Sequence, residues 1–210
     1  MHTFFIVTLL LTSVIAVAFI IERGLALRWP KVIPPAIEDA VMSYDSERAL
    51  PQLRHVCEQN PSTLARLLLF TTDHLDWSKT ESMDLLETRA RHEVAKLERG
   101  LVVLEIIVGI APLLGLVGTI YGLIMLFASM DGGAGADTGR FSQGISTALY
   151  ATLLGLLVAI PALIAWSYYS KKIENLTVEM ETLCDEFLRK HYRREEPGKN
   201  LVRPAAARAN

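Results

Sequence analysis

Three long stretches of the chain contain no Asp, Glu, Lys or Arg: Thr3 to Ile21, Ile106 to Met130 and Phe141 to Ser170, of 19, 25 and 30 residues. A helix needs about 20 apolar residues to cross the hydrocarbon core of a bilayer, so each stretch predicts a transmembrane helix. Between the first two, from Glu22 to Gly100, Pro30, Pro34, Pro35, Pro51 and Pro61 divide the chain into short pieces, most of them helical in composition. Asn60 before Pro61 predicts an N-cap with proline at the first helical position, opening a helix to about Leu75. Ser78 and Glu81 form a capping box, and Leu85, Leu86, Ala90, Val94 and Leu97 follow at helical spacing. No stop signal stronger than Gly100 intervenes, so one long helix is expected from about Lys79 to Phe127, with Pro112 as the place for a kink. Beyond the third run, Ile173, Leu176, Met180, Leu183 and Phe187 continue an apolar stripe and predict helix to about Tyr192.

Composition agrees with this pattern: 51% of residues are hydrophobic, 21% are charged and the mean hydropathy is +0.30. A removable signal peptide is the competing reading of the first run. Only Met1 and His2 precede it, without a basic leader, and Glu22 and Arg23 follow it without a small-residue cleavage site, so a retained span is expected. Of 21 Lys and Arg, 11 lie between Glu22 and Gly100, nine follow Ser170, and the connection between the second and third runs holds only Arg140. Cations are retained on the cytoplasmic side. The expected organisation is an all-α integral membrane protein, its N-terminus outside and its C-terminus cytoplasmic. Transmembrane helices occupy 1–21, 101–130 and 141–170. A cytoplasmic helical segment fills 22–100, a periplasmic loop 131–140, a cytoplasmic helix 171–194 and a disordered tail 195–210.

Several chemistries are disfavoured. A net charge of -2 gives no sign of a nucleic-acid interface, which shows as a concentrated basic patch. His55 near Cys57 has no second pair to complete a metal site, and Cys57 and Cys184 fall on the reducing side of the membrane. The glycines at 132, 133, 135 and 139 lack the Gly-Lys-Ser/Thr of a phosphate loop. No set of nucleophile, base and orienting group is visible, so an enzyme is not expected, nor any bound cofactor.

What remains is in the membrane. Gly109, Pro112, Gly115, Gly118 and Gly122 in the second span, and Gly144, Ala148, Ala151, Gly155 and Ala159 in the third, let helix backbones approach closely in lipid. Packing within one chain is part of their use, and two such faces also favour a homo-oligomer meeting along them. Polar residues inside these spans are few: Thr119, Tyr121, Ser146, Thr147, Tyr150 and Thr152. No carboxylate lies near mid-membrane, and Glu105 sits close to the cytoplasmic boundary.

The motifs Leu97-Glu98-Arg99-Gly100-Leu101, Ala111-Pro112-Leu113-Leu114-Gly115-Leu116-Val117-Gly118-Thr119, Gly144-Ile145, Ala148-Leu149-Tyr150-Ala151-Thr152 and Gly155 to Pro161 closely resemble the MotA/TolQ/ExbB proton-channel family, in its three-span ExbB/TolQ-like branch. The resemblance implies a homopentamer enclosing a dimer of an ExbD/TolR-like single-span partner, with the second and third spans lining the pore and the first peripheral and lipid-facing. It implies that the partner supplies an ion-carrying aspartate and that Thr119 and Thr152 form its polar surroundings. ExbB and many TolQ-like members carry glutamate where this chain has Thr147, which joins the other two as an ion-pathway candidate. Five residues separate Thr147 from Thr152, about 140° on a helix, so the two cannot share a narrow stripe. Pro112, Gly115, Gly118, Gly144, Ala148 and Gly155 are the expected pore and packing positions. The transported ion is H+ or Na+, and a TonB/TolA-like protein is a further partner the resemblance allows. A non-conducting membrane scaffold is the rival function.

Overall fold

The computed structural model describes residues 2–45, 47–130 and 138–195. Among these the chain is all helical: α1 (His2–Ala26), α2 (Trp29–Val32), α3 (Pro35–Met42), a 3-10 turn (Glu47–Ala49), α4 (Leu50–Gln59), α5 (Thr63–Thr72), α6 (Lys79–Glu98), α7 (Leu101–Met130) and α8 (Thr138–Glu195). Helices α1, α7 and α8 are each long and apolar enough to cross a membrane. The glycine-rich connection at 131–137 and the tail at 196–210 lie outside the described residues.

The chain divides into two compact units. The first comprises Met1–Leu27 and Lys96–Ile173, and therefore contains α1, α7 and most of the apolar part of α8. Here Ala16 of α1 packs with Ile107 and Ala111 of α7 and with Ala159 and Ala162 of α8. The Phe5 ring lies 5.9 Å from that of Tyr121. Tyr169 Oη donates to the Ile20 carbonyl at 2.8 Å, and a Cβ at Gly24 would stand 2.9 Å from that hydroxyl. The first span thus has two unlike faces. One face, with Leu9 and Ala16 buried, is packed, while Val7, Leu10, Leu11 and Val14 on the other remain exposed.

The second unit comprises Arg28–Ala95 and Glu174–Asn210. Its core gathers Ile33, Ile37, Val41, Leu53, Leu64 and Leu68 with the buried stripe Leu176, Met180, Leu183 and Phe187 of α8. That stripe is the one expected from its spacing. Tyr44 packs edge-on against Phe187 at 5.0 Å and shares a 3.1 Å hydrogen bond with Nδ1 of His191. Lys190 Nζ closes the end of α3 by donating to the carbonyls of Val41 and Met42 at 3.1 and 2.6 Å, where a cation complements both orphan carbonyls and the helix dipole. Cys57 and Cys184 are buried, free thiols.

Two sequence expectations need correction. The helix before Thr72 is capped by Ser62, whose Oγ accepts from the Ala65 amide at 3.1 Å. Asn60 instead ends α4, its Nδ2 donating back to the Val56 carbonyl at 2.9 Å. The expected continuous helix from Lys79 to Phe127 is broken at Arg99 and Gly100. The break has a distant cause: Arg23 Nη1 donates to the Leu97 carbonyl at 3.2 Å, the acceptor that a continuous helix would have paired with the amide of Leu101. Its guanidinium fills the space a Cβ at Gly100 would need. The Ser78–Glu81 capping box is present, with Ser78 N donating to Glu81 Oε2 at 3.2 Å and Glu81 N to Ser78 Oγ at 3.4 Å. The Ser78 hydroxyl, which donates to Glu81 Oε2 at 2.6 Å, and then the Ser78 amide hold the Glu81 carboxyl below its ordinary value.

Candidate functional site

The small residues of α7 and α8 meet each other within one chain. A Cβ at Gly115 would stand 2.8 Å from the Ala151 carbonyl oxygen and 3.3 Å from Gly155 Cα, and one at Gly155 would stand 2.6 Å from the Ala111 oxygen. Farther along, Gly118 faces Ala151, Gly122 faces Ala148 and Gly144 faces Leu126. Rising numbers on α7 meet falling numbers on α8, so the helices run antiparallel with backbones in contact. Gly115, Gly118, Gly144, Ala148 and Gly155 therefore build an intra-chain seam, and their small size is no separate argument for contacts between subunits. Gly109 is different, since a Cβ there would meet nothing within 4 Å. Helix α7 continues through Pro112.

This close approach brings Thr119 and Thr152 together. Their hydroxyls are in direct hydrogen-bond contact. Thr119 Oγ1 also lies 2.9 Å from the Ala148 carbonyl across the seam and 3.2 Å from the Gly115 carbonyl of its own helix, and Thr152 Oγ1 lies 3.4 Å from that same Gly115 oxygen. A membrane threonine ordinarily returns its hydroxyl to the carbonyl four residues back. Here four oxygens from two helices converge, with only two hydroxyl hydrogens among them. The cluster is therefore rich in lone pairs. It can accept a hydrogen bond from a protonated carboxyl or hydronium, or contribute oxygen ligands to a desolvated cation.

The cluster has one covered flank and one open flank. Gly118 is turned toward Phe5 of α1, and Thr119 lies about 100° farther round the helix, on the side away from α1. Both threonines are half-buried, while Leu116, Ile120, Leu149, Leu153 and Leu156 around them are exposed. The structure thus unites two of the three threonine candidates. Thr147 lies in α8, but its side chain is outside those described.

Sequence reading missed the fixing of α1 by Phe5, Ala16 and Arg23, and it missed Glu93. That carboxylate is fully buried in the second unit, bonded to Arg66 Nε at 2.8 Å and 3.8 Å from the Arg89 guanidinium. Burial also pushes the thiols up from an ordinary 9.0, Cys57 to about 11 and Cys184 to about 12.

A profile of the MotA/TolQ/ExbB proton channel family matches residues 60–182, which take in α5, α6, α7 and the threonine cluster. The chain belongs to this family. It is 32% identical over 167 residues to a putative biopolymer transport protein, ExbB-like 1, of Synechocystis, covering 75% of this chain and 63% of that one. It is 32% identical over 155 residues to a putative biopolymer transport protein ExbB homolog of Methanothermobacter thermautotrophicus, covering 73% and 54%. The Tol-Pal system protein TolQ of Pseudomonas aeruginosa is 29% identical over 194 residues, covering 86% and 83%. The chain thus spans about half to two thirds of the first two relatives. As a member of the MotA/TolQ/ExbB family with three candidate spans, it sits in a group of transport and energising channels, and the part aligned includes the helices that carry Thr119 and Thr152.

Proposed function

We infer that this chain is the ion-conducting, stator-like subunit of an inner-membrane motor. Five copies surround a dimer of an ExbD/TolR-like single-span partner, and ion flow at the interface drives relative rotation or other work that energises an envelope process. The N-terminus lies in the periplasm, and the second unit, α2 to α6 with the end of α8, lies in the cytoplasm. The observation that carries the reading is the meeting of the Thr119 and Thr152 hydroxyls inside a largely apolar helix pair. A carboxylate at mid-membrane costs roughly 2.5–3.5 kcal/mol on insertion scales, and an oxygen-lined notch on the pore wall is what a partner's carboxylate needs as it passes. One elementary charge falling through 100 mV releases about 2.3 kcal/mol, so several ions per cycle supply substantial work.

The test is Thr152→Val, which keeps shape and removes the hydroxyl. Ion flux through the complex with its partner should stop while the complex still assembles, and normal flux would sink the reading. Thr147 places a hydroxyl where related chains carry glutamate, so the partner's carboxylate carries the ion alone in this reading. The ion itself is read as H+. Full flux in sodium-free buffer at maintained membrane potential is the expected result, and loss of flux there would assign Na+.

A further inference from the structure

Glu105 is the only Asp, Glu, Lys or Arg in Leu101–Met130, and it is exposed on α7 rather than engaged with α1. Seven residues on comes Pro112, and seven more, Thr119. Positions seven apart drift by only about 20° round a helix, so the three occupy one stripe about 40° wide. The stripe lies on the side of α7 turned away from Phe5 and Tyr121, where the threonine cluster is open. Pro112 has no N–H, so it releases the Val108 carbonyl from its usual partner four residues on and adds a polar acceptor to the stripe. Gly109 leaves open space beside it. Glu105 to Thr119 spans about 21 Å of helix. A helical side chain leans toward the N-terminus of its helix, which carries this carboxylate toward the Arg23 end of α7. Ionisable groups within spans face a bundle interior or a water-filled cavity and mark ion paths.

We propose that Glu105 is the cytoplasm-side acceptor through which protons leave the Thr119–Thr152 site. The inference rests on the conduction reading and deepens it. A proton released at the threonine cluster passes through water along the stripe and forms an O–H bond on the Glu105 carboxylate. That bond then breaks to bulk water, and the carboxylate is restored. Nothing is oxidised or reduced.

The experiment is proton efflux from inverted vesicles holding the complex with its partner, driven by an interior-positive potassium potential and read with a trapped pH dye. Glu105→Gln should lower the flux by about 100-fold, the lower end of what a positioned acid–base group contributes, and Glu105→Asp should keep most of it. Glu105→Cys, assembled and nearly silent, should recover when a methanethiosulfonate reagent attaches a carboxylate and stay silent with a neutral reagent of the same length. Measuring one assembled sample before and after labelling separates lost chemistry from lost folding. Wild-type flux in Glu105→Gln beside a silent Thr152→Val overturns this inference and leaves conduction standing. Equal recovery with the neutral reagent also overturns it. Wild-type flux in Thr152→Val overturns the conduction reading and this inference with it.

Discussion

Substituting Gly155 by Ala should force apart the helix pair that holds the threonines. The new Cβ would lie 2.6 Å from the Ala111 carbonyl oxygen and 3.2 Å from Gly115 Cα. Both neighbours are backbone, so no side chain can swing away. Reaching ordinary contact requires a shift of about 0.8 Å, and a gap of that order along the neighbouring pairs forfeits a quarter to a half of each dispersion well. Overpacking of this kind costs about 1–3 kcal/mol, against which the better helix propensity of alanine returns at most about 1. Gly109→Ala provides the control, since it gains the propensity and meets nothing. The assay is thermal denaturation of the purified protein in lipid nanodiscs, with ion flux measured in parallel on vesicles holding the complex with its partner. Gly155→Ala should melt earlier and conduct poorly because the Thr119–Thr152 contact spans the widened seam, whereas Gly109→Ala should melt at or above the wild-type temperature. Equal behaviour of the two would refute the claim that backbone contact at Gly115 and Gly155 sets the site.

Arg23→Ala should free the Leu97 carbonyl for the amide of Leu101, so that amide should exchange hydrogen more slowly than in the wild type while those in the middle of α7 are unchanged. Glu93→Ala removes the buried acceptor of Arg66 and should destabilise the second unit by about 2 kcal/mol, the range for hydrogen bonds to charged groups, read as a lower denaturation midpoint. Arg89→Ala should cost less, since its guanidinium stands 3.8 Å from Glu93, too far for a hydrogen bond, its Nε is buried without a hydrogen-bond partner, and its other contact is with Phe70 at 5.3 Å. Cys57 and Cys184 should resist alkylation at neutral pH until the protein is unfolded, because their thiols are pushed up to about 11 and about 12 and the thiolate is the reactive form. The sign for stability follows from the same shift. The folded protein holds these protons more tightly, so their contribution is full below the ordinary thiol value of 9.0 and falls as pH rises from there toward about 12. A melting temperature that rose over that window would contradict it.

The spans were legible because a bilayer demands a length of apolar residues that no local detail can disguise. The threonines were legible as residue types in an apolar run, and their family resemblance gave them a role, but their meeting was not. It depends on Gly115 and Gly155 setting the separation and register of two helices, and a small residue in sequence does not say which helix it will touch. The break at Gly100 shows the same limit more sharply. A glycine costs a helix only about 1 kcal/mol, too little to end one alone. The interruption is made by Arg23, 74 residues from the carbonyl it occupies. Glu93 was overlooked for a related reason: a carboxylate on a charged helix reads as solvated until Arg66, 27 residues earlier, is found against it. At Asn60 and Ser62 two good caps competed within three residues, and the winner was the one whose oxygen reached an amide three positions on. Composition thus names the groups that must be satisfied, and tertiary pairing chooses their partners. Glu105 is the residue to which this reasoning now applies, since sequence alone reads it as a hydrated boundary charge, while its place on the stripe of Pro112 and Thr119 gives it a path to serve.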